Sequence, residues 1–135
     1  MQHENPATET LAREELTERV LRIEGQLNGL LARLIGRARV MKMMGARPVL
    51  EGVLWLHIAE RVDRRGVDYH LAAVLKDVTD HDPWTGETSK RTVLRFDVTH
   101  LPDGDIDASD TARFRDARQA LDTYHRIGPF WNPEG

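Results

Sequence analysis

Six histidines and no cysteine set the terms for any chemistry this chain can do. Without thiols there is no disulfide framework and no thiolate metal site. A metal would have to be held by imidazole and carboxylate. The best-spaced set is His57, His70 and Asp97. In the strand pairing derived below, His57 and His70 fall on the polar face of adjacent strands, diagonal to each other. Asp97, on a third strand, can point to the same side. Diagonal sheet positions lie about 7–8 Å apart, which allows two histidines and a carboxylate to share one divalent ion with coordination positions left open. Half-exposed sheet histidines are common without a metal, so the expectation is no metal and no cofactor.

Other routes to catalysis are missing. The chain has no glycine-rich phosphate loop, no nucleophile elbow and no HExxH, and no two carboxylates stand out as an acid–base couple. The expectation is therefore a non-enzyme. Charge is unevenly spread although the net value is only -3. No acidic residue occurs between Glu24 and Glu51, an interval that holds Arg33, Arg37, Arg39, Lys42 and Arg47. Such a segment can meet phosphates. It can equally meet an acidic loop of a neighbouring subunit, and Asp103, Asp105, Asp107 and Asp110 supply one. A simply solvated surface is the plainer reading, and the negative total charge and the lack of interleaved aromatics weigh against nucleic acid. The aspartates also resemble a calcium loop, with Asp105, Asp107, Ser109 and Asp116 at suitable spacing. Asp110 stands where that loop needs glycine, so a turn followed by a helix cap is the better reading.

The elements that position these residues follow from periodicity. After a polar lead-in (1–10), Leu16, Val20, Ile23, Leu27, Leu30 and Leu34 step by alternating fours and threes, and Met41 continues the register. That is a heptad pattern and predicts one helix over 11–46, ended by Gly45 and Arg47-Pro48. The segment RIEGQLNGLLARLIG (22–36) also carries Gly25, Gly29, Ala32 and Gly36 on another face. Each interior glycine costs about 1 kcal/mol relative to alanine, so this stripe of small residues suggests a second, close-packing surface on a continuous helix.

RIEGQLNGL (22–30) resembles the first-helix segment of the copper-sensing repressor family, which carries a similar Arg-Ile-Glu-Gly-Gln…Gly stretch. The resemblance covers about nine residues. It implies an all-helical, DNA-binding oligomer that senses metal through cysteine and histidine. Here Asn28 replaces the usual arginine, the cysteines are absent, and strands follow instead of helices.

The second half has period two. VLWLHIAERV (53–62) and VDYHLAAVLKDV (67–78) flank Asp63-Arg64-Arg65-Gly66, a hairpin turn. Placing Val62 opposite Val67 sets Ile58 opposite Leu71, Leu56 opposite Ala73 and Leu54 opposite Leu75, gathering the apolar residues on one face. Helical spacing of Leu50, Val53 and Leu54 leaves a helix through 50–62 as the alternative. A third strand (91–101) adds Leu94, Phe96 and Val98. A last helix at about 110–126, capped by Ser109 or Asp110, aligns Phe114, Ala117, Leu121 and Tyr124.

The expected fold is α+β: a long, coiled-coil-like N-terminal helix, a three-stranded antiparallel meander and a C-terminal helix. The regions are lead-in 1–10, oligomerisation helix 11–46, α+β head 47–128 and tail 129–135. The expected role is a structural or adaptor subunit of a larger assembly, such as a virion-like particle, in the cytoplasm. It would associate with itself and with other proteins through its heptad helix. A nucleic-acid-binding regulator using 33–47 is the alternative, and a metal enzyme a third. The polar start lacks a signal-peptide pattern, and no uncharged run approaches membrane-span length.

Overall fold

The computed structural model describes residues 6–32, 37–63, 65–102 and 109–126. In chain order the elements are α1 (Pro6–Ala32), α2 (Arg37–Met43), β1 (Arg47–Leu50), β2 (Val53–Val62), β3 (Asp68–His81), β4 (Thr88–Leu101), β5 (Asp110–Phe114) and α3 (Ala117–Arg126). The strands form one antiparallel up-and-down sheet in the order β1-β2-β3-β4-β5. Two expectations are corrected: the sheet has five strands instead of three, and 11–46 is not one long coiled-coil helix. An all-helical fold of the repressor type is likewise not formed.

The additional strands lie at the two edges, where sequence signals are weakest. Proline is tolerated there because its missing N–H need not serve the ladder, and Pro48 sits in β1. Leu50 pairs with Val53 across Glu51-Gly52, and Gly52 has φ +75°. This is a two-residue hairpin turn that demands a left-handed residue. On the opposite edge, β5 replaces the first turn of the helix expected from 110. Asp116 is the actual N-cap, its Oδ1 accepting from Arg118 N at 3.0 Å, and α3 follows with Ala117, Ala120, Leu121 and Tyr124 buried.

The central hairpin turns where expected. Asp63 N donates to Val67 O at 3.0 Å and Gly66 N donates to Asp63 O at 3.1 Å. The Asp63 carboxylate accepts from Arg65 N and Val67 N, from the Arg65 guanidinium, and from Tyr69 Oη. Burial alone would raise this carboxyl, but those hydrogen bonds prevail and hold it well below the usual range. The β2–β3 register matches expectation at Leu54–Leu75 and Leu56–Ala73, then slips. A bulge between His57 and Ala59 sets Ala59 opposite Leu71, Glu60 opposite His70 and Val62 opposite Asp68.

All three helices share one apolar cluster with one face of the sheet. α2 packs on β2 and β3, α3 on β3, β4 and β5, and α1 on α2 and α3. Val20, Ile23, Leu27 and Met41 are buried with Leu54, Ile58, Leu71, Phe96 and Val98, and Leu16 is half-buried against them. The heptad stripe is therefore consumed by the chain's own core at these positions. Leu30, Leu34, Ala32 and Gly36 lie outside the residues whose side chains are described. The reason is that the helix-side face of the sheet, with Leu54, Ile58, Leu71, Phe96 and Val98, and the other helices give Val20, Ile23, Leu27 and Met41 apolar cover within the chain. α1 runs unbroken through Gly25 and Gly29, which are exposed, and a Cβ at either would meet nothing within 4 Å. No described part of the chain occupies that glycine stripe.

Other elements hold both ends of α3. At its start Glu24 of α1 accepts from Ala117 N at 3.4 Å. At its end the Arg61 guanidinium donates to Tyr124 O at 3.1 and 3.3 Å, while lying 4.8 Å from the Tyr69 ring centroid and 5.6 Å from that of Tyr124.

Two predictions follow from this packing. Leu27→Ala should cost roughly 2–5 kcal/mol in chemical denaturation, with a loss independent of protein concentration. A loss that itself changed with protein concentration, relative to wild type, would instead place Leu27 at an interface between copies. The lowered Asp63 carboxyl makes its hydrogen bonds a source of stability that is complete above its ordinary value of 3.8 and fades as pH falls below it. Asp63→Asn should therefore destabilise at pH 7 and flatten the acid limb of the stability–pH curve; an unchanged limb would contradict this.

Candidate functional site

The face of the sheet opposite the helices carries the polar side chains. Strand register arranges them in rows: Trp55, Val74 and Arg95; His57, Ala72, Asp97 and Arg113; Glu60, His70, Thr99 and Thr111. Ala72 and Val74 lie between these side chains in the rows and are buried. They form the floor of a shallow trough.

One wall of the trough is a cluster of His57, Glu60 and His70. His70 Nδ1 lies 3.3 Å from His57 Nε2 and 3.6 Å from Glu60 Oε2, and His57 Nε2 lies 3.9 Å from the same carboxylate oxygen. The bulge makes this possible. Strict alternation would turn Glu60 to the helix side; the extra residue returns it to the side of His57. Trp55 flanks the cluster, its ring centroid 5.5 Å from that of His57. Of the sequence-derived trio, the structure brings His57 and His70 together. Asp97 is not with them: Ala72 separates it from His57 in the row. Glu60 was missed because its recruitment depends on a bulge that period-two reading does not show.

Asp97 belongs to the other wall. It is buried, with Arg95 Nε 3.0 Å from its Oδ1, and Arg113 is its neighbour on β5. Burial pushes its carboxyl above the usual range, against the pull of Arg95 and Arg113. Beyond it a cleft is lined by Lys76, Arg91, Arg95, Arg113 and Arg115 around Val78, Val93 and Phe114. Of these cations Arg91 is bridged to Asp80 at 2.7 Å and Arg95 to Asp97 at 3.0 Å.

A second feature projects from the sheet. β3 and β4 pair from Asp68–Leu101 to His81–Thr88, whereas β2 reaches only Lys76 and β5 only Phe96. Residues 77–92 thus extend as a two-stranded arm. Its tip is well built: Asp82 N donates to Glu87 O and Gly86 N to Asp82 O, both at 2.9 Å. The Asp82 carboxylate accepts from Trp84 N at 2.8 Å, which lowers its pKa. This turn holds Trp84 92% exposed. At the base of the arm, the β1 edge and α2 expose Met43, Val49 and Leu50.

Of the basic residues singled out in the sequence, Arg39, Lys42 and Arg47 are exposed, the last with its guanidinium 5.7 Å from the Trp55 ring. Arg33 and the side chain of Arg37 lie outside the described residues, as do Asp103, Asp105 and Asp107. Among the described residues no helix is long and apolar enough to cross a membrane. No protein-family model, curated protein or solved structure matches the chain.

The environment of Asp97 is directly testable. A raised carboxyl contributes stability that is complete below its ordinary value of 3.8 and is lost as pH rises through the raised value. NMR titration should place its midpoint above 3.8, and Arg95→Met should raise it further by removing an opposing charge. A midpoint at or below 3.8 would show that Arg95 and Arg113 outweigh burial.

Proposed function

We propose that this chain is a non-enzymatic assembly subunit that docks the tip of its β3–β4 arm onto the β1 edge of another copy. The observation that carries this reading is Trp84, almost fully exposed on a turn already ordered by hydrogen bonds. A preorganised tryptophan loses little conformational freedom on docking, and tryptophan is the residue type most enriched among interface anchors. The receiving surface is in the same chain. Val49 and Leu50 are exposed on β1, an edge strand of the described sheet, and such an edge is a natural site for association. Charge agrees: Asp82 and Glu87 flank the tryptophan, while Arg47 lies on the edge strand and Lys42 lines a cleft with Pro48 and Leu50. Tip and edge are different surfaces, so the contact is heterologous and can propagate into a ring or filament.

Light scattering tests this directly. The wild-type chain should form a particle larger than one copy, and Trp84→Asp or Leu50→Asp should each give monomers. An equimolar mixture of the two variants should regain pairwise association, because one intact tip then meets one intact edge. A monomeric wild type would overturn the proposal.

The five-cation cleft favours a second reading, a polyanion-binding face. Lys76→Ala with Arg115→Ala should then weaken binding of a single-stranded oligonucleotide and reduce its log K–log salt slope by about 1.4. Absence of binding at low salt would remove this alternative.

A further inference from the structure

We infer that His57, Glu60 and His70 form a binding site for one zinc-like divalent metal on the open face of the sheet. Three lone-pair donors from three side chains converge at 3.3, 3.6 and 3.9 Å. Ligand atoms about 2.0–2.1 Å from a tetrahedral zinc lie about 3.4 Å apart, so the observed triangle needs only small side-chain adjustments to accept the ion. The chemistry of the set agrees: two imidazoles and one carboxylate suit zinc or cobalt, whereas calcium and magnesium prefer oxygen ligands.

The alternative is a cluster held only by protons. A proton on one imidazole can bridge the two rings, but it leaves the carboxylate more than 3.5 Å from either ring nitrogen, too far for a good hydrogen bond. A cation at the centre satisfies all three donors together. The backbone also fixes the arrangement. Glu60 is the direct cross-strand partner of His70, His57 is the diagonal one, and the bulge aims Glu60 inward. Three protein ligands leave a coordination position available to water or an anion. Asp97 is excluded as a ligand, since Arg95 engages it and it stands two strands from β2.

Untagged protein stripped with a chelator should bind one Zn2+ per chain by calorimetry, and Co2+ should give the intense visible bands of a tetrahedral site. His57→Ala and His70→Ala should each abolish the bands while circular dichroism stays unchanged. Glu60→Gln, an exposed and near-isosteric change, should weaken binding about tenfold or more, whereas Asp97→Asn should leave it unaltered. Affinity should fall as pH drops, because protons compete for the ligands. Trp84→Asp should bind zinc normally, which separates this site from the assembly reading. Wild-type binding no tighter than that of the His57→Ala/His70→Ala double variant would overturn the inference. So would stoichiometric binding that survives in the double variant, since the ion would then lie elsewhere.

Discussion

The extra residue in β2 between His57 and Ala59 governs what the two faces of this sheet present. Side chains on a strand alternate, so one inserted residue exchanges the faces of everything beyond it. Before the bulge, Leu54 and Leu56 face the helices; after it, Arg61 does, although strict alternation would turn it away. In that position its guanidinium lies between Tyr69 and Tyr124 and donates to the last turn of α3. The same shift turns Glu60 to the open face beside His57 and His70. Anchoring of the final helix and assembly of the histidine cluster are two results of one backbone irregularity.

Around that feature the molecule divides by chemistry. The helix-covered face is a continuous apolar cluster into which α1, α2 and α3 all place their stripes. The opposite face holds two groups, each mixing acid and base: His57–Glu60–His70 on the β2 side and Arg95–Asp97–Arg113 towards β5. Buried Ala72 and Val74 lie between them. Low exposure makes Asp97 costly to ionise and makes its arginine neighbours necessary.

The arm adds a different kind of surface. Only two strands run through 77–92, so cross-strand pairs such as Thr92–Asp77 and Arg91–Asp80, together with the tip turn, must maintain its shape. The apolar residues Trp84 at one end and Val49 and Leu50 at the β1 edge find no cover within the described chain. The proposed association would supply that cover without involving the heptad residues already used inside.

Much of this was legible in the residues themselves. Alternation in 53–62, 67–78 and 91–101 placed three strands, and Asp63 with Gly66 placed their first turn. Spacing of Ala117, Leu121 and Tyr124 placed the face of the last helix. Those signals are local, because each element's own period reports its buried side. The edge strands were not legible: β1 and β5 are short, polar or proline-bearing, and their pairing depends on neighbours. Nor could the heptad in α1 reveal its partner, since a helix with an apolar stripe looks the same whether it meets a second copy or its own sheet. The third member of the histidine cluster was likewise decided only in three dimensions. A bulge is set by how two strands fit over a shared core, and no periodicity within one strand records it.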